Sequence, residues 1–215
     1  MNYLNLSEKG QRLVDMYSEM AENGYATNIG MDIKDAYNSF ELRKIRDVIR
    51  NKFTEHNVKT VLDYGCGGSD WNIPGFENEE SAVEFFSLKR VHRYEPARDI
   101  DERASVDCVV CFDVLEHIYV SDVATVLRDI FFHAKKLVIL NVACYEANAL
   151  LPNGENAHIT VRNPHWWKGA IDLISVEHPS VSIDLICSPK YNQMQAFPTF
   201  SDKQRQVDDN FCISY

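Results

Sequence analysis

Three short, mainly apolar runs constrain the fold of this chain more than any other feature. They occupy residues 58–64, 107–112 and 136–142, and none of them shows the regular polar alternation of a strand with one solvated face. Such runs are typical of strands buried on both faces, which occur mainly in parallel sheets covered by helices. Between the last two runs, residues 121–134 carry apolar side chains at helical spacing. Strands that alternate with helices predict an α/β fold with a mostly parallel sheet.

The remaining elements follow from periodicity and turn signals. The pattern predicts helices at 4–22, 35–53, 78–88 and 164–174, strands at 90–94 and 181–187, a loop at 193–209 and a last short strand at 210–215. Ser121 and Asn163 are the expected N-caps of two helices, and Gly24 is expected to end the first one.

The length of 215 residues suits one hydrophobic core. We expect a single domain over 1–215, in which 1–55 form an N-terminal helical segment and 56–215 form an α/β core. No apolar run approaches the roughly 20 residues that a membrane helix needs. The first residues lack the basic and apolar regions of a signal peptide, so the expected location is the cytoplasm and no membrane partner is expected.

Charge and cysteine usage narrow the expected partners. The formal net charge of −10 disfavours broad binding to nucleic acid, and a small-molecule partner suits it better. Cys108 and Cys111 have C-x-x-C spacing, but residues three apart on a strand point to opposite faces. We therefore expect buried, reduced thiols and assign no residue to a metal.

A glycine-rich turn directly follows the first apolar run. Its sequence is Asp63-Tyr64-Gly65-Cys66-Gly67-Gly68-Ser69. Glycines allow positive φ angles and let the backbone approach a ligand closely. The turn resembles motif I, D-x-G-x-G-x-G, of the Rossmann-like S-adenosylmethionine-dependent methyltransferases: Asp63, Gly65 and Gly67 match, and Ser69 stands at the third glycine position. The resemblance implies that residues 63–68 bind the methionine end of the cofactor.

Two further motifs follow at predicted strand ends. Glu95-Pro96 follows the 90–94 strand, where an acid can accept hydrogen bonds from both hydroxyls of a ribose. The 107–112 strand leads into the segment Asp113-Val114-Leu115-Glu116-His117. This segment resembles the D-V-L-E-H segment of many small-molecule methyltransferases. By that resemblance the cofactor pocket is lined by Asp113, Val114 and Leu115, with His117 at its edge. Glu95 and Pro96 are expected to line the same pocket from the neighbouring strand end.

Together these motifs, spread over residues 58–144, imply a fold and an activity. The implied fold is a Rossmann-like methyltransferase three-layer sandwich, with six or seven strands and N-terminal helices. The implied activity is in-line transfer of the methyl group of S-adenosylmethionine to an oxygen or nitrogen atom of a small-molecule acceptor. Only eleven residues separate Glu95 from Asp107, too few for the family's third strand and adenine-contacting loop. We expect that strand to be shortened or missing, with Asp101 as the candidate adenine contact.

Candidate catalytic residues lie after the later strands. His117 and His158 are the expected general bases for an alcohol or phenol acceptor, because histidine titrates near neutral pH. Tyr145 is expected to orient the acceptor through its hydroxyl group. The pair Trp166-Trp167 is interpreted as core or pocket wall rather than as a platform for the substrate.

Three alternatives stay open. The set Asp113, Glu116, His117 and His158 resembles the E-x-x-E-H segment and distant histidine with which small-RNA 3′-terminal 2′-O-methyltransferases bind magnesium, but that family's second histidine is missing. A non-catalytic module that binds S-adenosylmethionine is the second alternative, motivated by the shortened third-strand region. A nicotinamide oxidoreductase is the third and ranks last, because no third glycine stands at the spacing of G-x-G-x-x-G.

Overall fold

The computed structural model describes residues 4–33, 41–191, 193–198 and 212–214 of the chain. In this part of the chain one main sheet is covered by helices on both faces, which confirms the predicted α/β class. None of the helices described there combines the length and the apolar character that crossing a bilayer requires.

The elements have the following bounds. The helices are α1 (Glu8–Asn23), α2 (Arg46–Glu55), α3 (Ala82–Phe85), α4 (Val120–His133) and α5 (Pro164–Ser175). A small antiparallel ribbon contains β1 (Tyr25–Ala26) and β2 (Asp32–Ile33). The main sheet contains β3 (Thr60–Tyr64), β4 (Arg90–Glu95), β5 (Ile100–Asp101), β6 (Val106–Phe112), β7 (Ala134–Ala143), β8 (Ser182–Lys190), β9 (Gln193–Pro198) and β10 (Cys212–Ser214). Short 3₁₀ turns lie at Glu41–Ile45, Pro96–Arg98 and Leu115–His117.

The strand order of the main sheet is β10-β9-β8-β7-β6-β3-β4-β5. Neighbouring strands from β8 to β4 are parallel, whereas β5, β9 and β10 pair in antiparallel fashion toward the edges. In the described residues the sheet thus has seven strands of three or more residues and the two-residue β5, a mostly parallel sheet as predicted. Because β4 and β6 lie on opposite sides of β3, the strand order reverses there, and open parallel sheets bind ligands at such a reversal.

Strand β5 stands where a further parallel strand was expected to be shortened or missing. It pairs with the end of β4 in antiparallel fashion, with Asp101 opposite Tyr94 and Ile100 opposite Glu95. The chain reverses at Asp99, whose φ of 55° lies in the left-handed region that aspartate tolerates better than most residues. The short segment therefore forms only a stub at the sheet edge, as its length predicted.

Two predicted elements were wrong in type or extent. The 193–209 segment was expected to be a loop, but Gln193–Pro198 form β9 against β8, and the residues after it lie outside the described ranges until β10. The predicted 78–88 helix is reduced to α3, because Ser81 and Glu84 form a capping box that starts the helix only at Ala82.

Two helix starts also differ from expectation. Ser121 was wrongly expected to cap α4: Tyr119 occupies the N-cap position, and no side-chain hydrogen bond caps the helix. Helix α2 begins at Arg46 after a 3₁₀ turn, later than the predicted 35–53 helix, and residues 34–40 lie outside the described ranges.

Other predicted ends are confirmed. Asn163 caps α5, since its side chain accepts a hydrogen bond from the backbone N–H of Trp166 at 3.0 Å. Gly24 ends α1 with a φ of 79°, a value that favours glycine. The last short strand, predicted over 210–215, is present as β10.

Two apolar clusters cover the opposite faces of the sheet. Helices α4 and α5 contribute Leu127 and Trp167 to one cluster, and α2 contributes Ile49 to the other. Cys108 and Cys111 lie in different clusters, which confirms that the two thiols face opposite sides of β6. Trp167 is fully buried, so its interpretation as a core residue is confirmed.

Helix α1 is attached to α4 by one serine. The side chain of Ser7 caps α1 by accepting a hydrogen bond from the backbone N–H of Gly10. The backbone N–H and the hydroxyl of Ser7 donate to the carboxylate of Asp122, at 2.8 and 2.7 Å. A Cβ atom on Gly10 would lie 2.5 Å from Oδ2 of Asp122, so the close approach of the two helices requires a glycine there.

This attachment predicts a clear difference between two serine variants. Ser7→Ala removes a helix cap and a bond to a carboxylate, so it should lower the free energy of unfolding by about 1–2 kcal/mol. Ser121→Ala, the matched control, should change it by less than about 0.5 kcal/mol, because this serine is exposed, caps no helix and contacts Asp122 only through a long hydrogen bond of 3.5 Å. Urea denaturation measures both values, and equal losses for the two variants would contradict the described attachment.

Candidate functional site

A cavity of about 150 Å³ lies at the carboxyl ends of β3, β4 and β6, at the reversal of strand order. Three chain segments singled out from the sequence contribute to its wall. The contributing residues from these segments are Tyr64, Gly65, Gly67, Glu95, Pro96, Asp113, Val114 and His117. The cavity thus brings together residues from motifs that lie about 50 positions apart along the chain.

The glycine turn needs its glycines for two separate reasons. Gly65 and Gly67 have φ angles of 79° and 55°, in the left-handed region. A Cβ atom on Gly65 would also lie 2.3 Å from Cγ2 of Val114, a distance that no side chain tolerates. The N–H of Gly65 donates to the carbonyl of Tyr94 at 2.7 Å, which holds the turn against the end of β4.

Asp63 holds this turn from beneath instead of lining the cavity. Its carboxylate is buried and accepts from the indole N–H of Trp71 at 2.8 Å and from the hydroxyl of Ser69 at 3.2 Å. Burial raises the pKa of Asp63 to about 6, and the two hydrogen bonds offset part of that effect. Ser69, which replaces the third glycine of the resembled motif, therefore supports the turn with its hydroxyl group.

Glu95 links the turn to the end of β4. One carboxylate oxygen accepts from the N–H of Gly67 at 3.0 Å, and the other accepts from the N–H of Ala97 at 3.1 Å. Burial raises the pKa of Glu95, while these two hydrogen bonds act in the opposite direction. Each oxygen keeps a lone pair for a ligand donor, and the side chain forms part of the cavity wall.

The segment after β6 contributes unevenly. Asp113 lines the cavity with a φ of 51°, in the left-handed region that aspartate tolerates better than most residues. Val114 lines the cavity beside it, whereas Leu115 is fully buried in the core.

Other predicted cofactor residues lie away from the cavity wall. Cys66 is buried under the turn, and Gly68 is exposed on its outer side. Asp101 is exposed, and both its carboxylate oxygens accept from the guanidinium of Arg103, at 2.9 and 2.8 Å. The structure therefore does not bring Asp101 to the cavity as an adenine contact.

Helix α1 covers the cavity, which the sequence did not indicate. Leu13, Val14 and Tyr17 from α1, and Leu6 just before it, contribute an apolar wall opposite the strand ends. The apolar spacing of α1 predicted a buried face, but a periodic face carries no information about which surface it covers.

The three predicted catalytic residues form one cluster beside the cavity. The rings of His117 and His158 meet edge to face with centroids 4.7 Å apart, and the ring of Tyr145 lies 5.6 Å from that of His158. Tyr17 of α1 joins the cluster, because its hydroxyl lies 2.5 Å from Nδ1 of His117. Of the predicted three, only His117 lines the cavity.

Backbone carbonyls orient both imidazole rings. Nδ1 of His117 lies 2.9 Å from the carbonyl oxygen of Ala157, and Nδ1 of His158 lies 2.5 Å from that of Tyr145. Burial and the neighbouring His158 lower the pKa of His117 to about 3, and burial lowers the pKa of His158. Both rings are therefore neutral at pH 7, and His117 is a much weaker base than a histidine that titrates near neutral pH.

Glu116 completes the cluster from beneath. Its side chain is fully buried: Oε1 accepts from the N–H of Ala143 at 2.9 Å, and Oε2 has no hydrogen-bond partner in the described part of the chain. Burial, followed by the nearby charge of Asp113, raises the pKa of Glu116 well above its ordinary value. One oxygen of Glu116 and one ring nitrogen each of His117 and His158 lie within 4.8 Å of one another.

No family model, no curated protein and no solved structure matches this chain. The functional interpretation therefore depends on the geometry of the site and on the resemblance of the motifs.

The buried carboxylate of Asp63 predicts a specific pH dependence. The pKa of Asp63 in the folded protein, about 6, exceeds the pKa of the same group in the unfolded chain. At pH values between the two pKa values the folded protein binds more protons, so the contribution of Asp63 to the free energy of unfolding decreases as pH rises. On acidification from pH 7 to pH 5, the wild type should gain about 1 kcal/mol of unfolding free energy relative to Asp63→Asn. Chemical denaturation at both pH values measures the difference.

Asp70 offers a matched control at the same turn. The backbone N–H of Asn72 lowers the pKa of Asp70, so this group titrates below the tested range. The difference between the wild type and Asp70→Asn should therefore stay constant from pH 7 to pH 5. A constant difference for Asp63→Asn as well would show that the buried carboxyl does not titrate as described.

Proposed function

We propose that this protein is an S-adenosylmethionine-dependent methyltransferase that acts on a small-molecule acceptor. The observation that carries the proposal is the position of the cavity. It lies where the strand order reverses, and its wall combines the glycine turn, the carboxylate of Glu95 and Asp113 at three neighbouring strand ends. Open parallel sheets bind nucleotide-like ligands at this place.

The wall has the polarity that such a cofactor requires. The side chains of Tyr64, Tyr94 and Val114 supply apolar surface for an adenine ring and a methionine chain. Glu95 supplies an acceptor for ribose hydroxyls, and the missing side chain of Gly65 lets Val114 pack directly against the glycine turn at the cavity wall. These features fit S-adenosylmethionine, which supplies an electrophilic methyl group when it is bound.

The cavity is too small to hold S-adenosylmethionine unless part of its wall moves. Pockets for ligands of this size usually measure roughly 300–1,000 Å³, whereas the cavity described here measures about 150 Å³. Since α1 forms one wall through Leu13, Val14 and Tyr17, we infer that this helix moves away when the cofactor binds. The hydrogen bonds at Ser7 and Tyr17 can break without disrupting the sheet. Because Leu13 and Met20 of α1 are also buried in an apolar cluster with residues of the loop after β7, we infer a small displacement of the helix that keeps this cluster in contact.

The proposed reaction depends mainly on alignment. Methyl transfer requires the acceptor atom in line with the methyl group and the exclusion of water from the reacting atoms. His117 is the predicted base that reaches the cavity, but its pKa of about 3 makes it a poor proton acceptor at pH 7. An acceptor that is already a good nucleophile fits this site better than an unactivated alcohol.

A non-catalytic module is the second candidate. The observation that favours it is that α1 covers the cavity and that Tyr17 of this helix lies against His117. A module of this kind would bind S-adenosylmethionine but form no S-adenosylhomocysteine with any acceptor, so a product assay separates the two candidates.

Cofactor binding provides the primary test. Calorimetric titration with S-adenosylmethionine should show binding to the wild type and at least tenfold weaker binding to Glu95→Gln. This variant removes the charge and leaves only one acceptor oxygen, for which Gly67, Ala97 and the ribose would compete.

Glu177→Gln is the matched control, because this exposed glutamate pairs with Arg128 away from the cavity. It should bind the cofactor with the affinity of the wild type. Absence of binding to the wild type at millimolar cofactor, or equal affinities for wild type and Glu95→Gln, would overturn the proposal.

A further inference from the structure

We propose that Glu116, His117 and His158 bind a divalent transition-metal ion. One donor atom from each residue lies within 4.8 Å of the other two, close enough for all three to reach one ion with small side-chain movements. The three residues come from the turn after β6 and from the loop after β7, so the fold brings them together across about 40 positions of sequence.

The orientation of the imidazole rings supports this site. A carbonyl oxygen can only accept a hydrogen bond, so the contact of His158 with the carbonyl of Tyr145 places the proton on Nδ1 of that ring. Nδ1 of His117 contacts both the carbonyl of Ala157 and the hydroxyl of Tyr17; because that hydroxyl donates to the same carbonyl at 3.1 Å, all three contacts are satisfied when Nδ1 of His117 carries the proton. This tautomer leaves the lone pair on Nε2. Histidine ligands of protein metal sites are typically held in this way, with the other ring nitrogen donating to a carbonyl or a carboxylate.

Glu116 provides the observation that a purely structural role does not explain. The hydrogen bonds to the backbone carbonyls hold the two histidines without an ion, and Oε1 of Glu116 accepts a hydrogen bond from the N–H of Ala143. Oε2 of the same fully buried side chain has no hydrogen-bond partner in the described residues. Buried carboxylate oxygens require a compensating partner, and a cation between Glu116 and the two rings supplies one.

The donor set indicates the class of ion. Two imidazoles and one carboxylate favour borderline ions such as Zn²⁺, Fe²⁺, Co²⁺ and Mn²⁺, whereas Mg²⁺ and Ca²⁺ prefer sites made entirely of oxygen ligands. Three protein ligands leave at least one coordination position open, as in catalytic sites rather than closed structural ones.

The location of the proposed metal site beside the cavity would let the open coordination position of the ion face a bound ligand. His117 also lines the cavity at the strand ends, so an ion on its Nε2 would lie at the cavity wall. There it would coordinate an oxygen atom of the methyl acceptor and lower the pKa of that oxygen. This role rests on the proposed methyl transfer, whereas ion binding itself does not.

Metal titration without any cofactor tests the site. After removal of bound metal with a chelator, the wild type should bind one Zn²⁺ per chain in calorimetry. The Co²⁺ form should show ligand-field absorption without the intense charge-transfer band of thiolate ligands. Glu116→Gln and His158→Ala should each weaken Zn²⁺ binding at least 30-fold, and His56→Ala should leave it unchanged, since His56 lies at the end of α2, outside the cluster.

Each outcome decides the proposal. A wild type that binds no Zn²⁺ at micromolar concentrations overturns it, whatever the variants do. A thiolate charge-transfer band, or variants that are folded by circular dichroism and bind Zn²⁺ as tightly as the wild type, also overturn it. Zn²⁺ binding combined with no binding of S-adenosylmethionine would retain the metal site and reject the methyltransferase proposal.

Discussion

The parallel pairing of β3 with β4 on one side and with β6 on the other brings three strand ends to one edge of the sheet. Each strand ends in a residue or turn with an unusual backbone or a buried charge: the glycine turn after β3, Glu95 at the end of β4 and Asp113 after β6. Without this pairing the three segments would be unrelated stretches of chain. With it, they form one wall, and the cavity follows from the direction in which the strands run.

The same edge concentrates carboxyl groups in a poorly solvated environment. Burial raises the pKa of Asp63, Glu95 and Glu116, and each group is compensated in a different way. Asp63 accepts hydrogen bonds from an indole and a hydroxyl, and Glu95 accepts them from two backbone N–H groups. Within the described residues, only one oxygen of Glu116 accepts a hydrogen bond. Proteins retain such uncompensated groups mainly where a ligand or ion completes them, which is why the two proposals concern neighbouring parts of one site.

How much the sequence predicts depends on whether a feature is local. The buried strands and the turn at Gly65 were predictable because continuous apolar runs and glycines act within a few residues. Strand β9 was missed because it contains polar residues and a proline, which the sheet tolerates where, in the described part of the chain, β10 pairs only with the first three residues of β9. Ser121 was mistaken for a cap because the pattern does not show where the first turn of a helix begins.

At the site, the sequence grouped Glu116, His117 and His158, together with Asp113, only through the resemblance to a magnesium-binding methyltransferase segment. The adjacency of Glu116 and His117 was visible in the D-V-L-E-H segment, whereas the approach of His158 depends on how the loop after β7 folds back. The cover formed by α1 had no local signal at all, because an amphipathic helix does not encode its partner surface. In the sequence, Tyr17 is indistinguishable from the other residues of the apolar face of α1.

The attachment of α1 through Ser7 and Asp122 makes stability and affinity oppose each other. Any ligand that needs the helix displaced binds only to the small fraction of molecules in which it has already moved, and its apparent affinity falls by that fraction. Each additional free energy of roughly 1.4 kcal/mol that holds the helix in place lowers the apparent affinity of such a ligand tenfold. If S-adenosylmethionine binds as proposed, the contacts that protect the apolar wall from water in the free protein would therefore raise the cofactor concentration needed to fill the site.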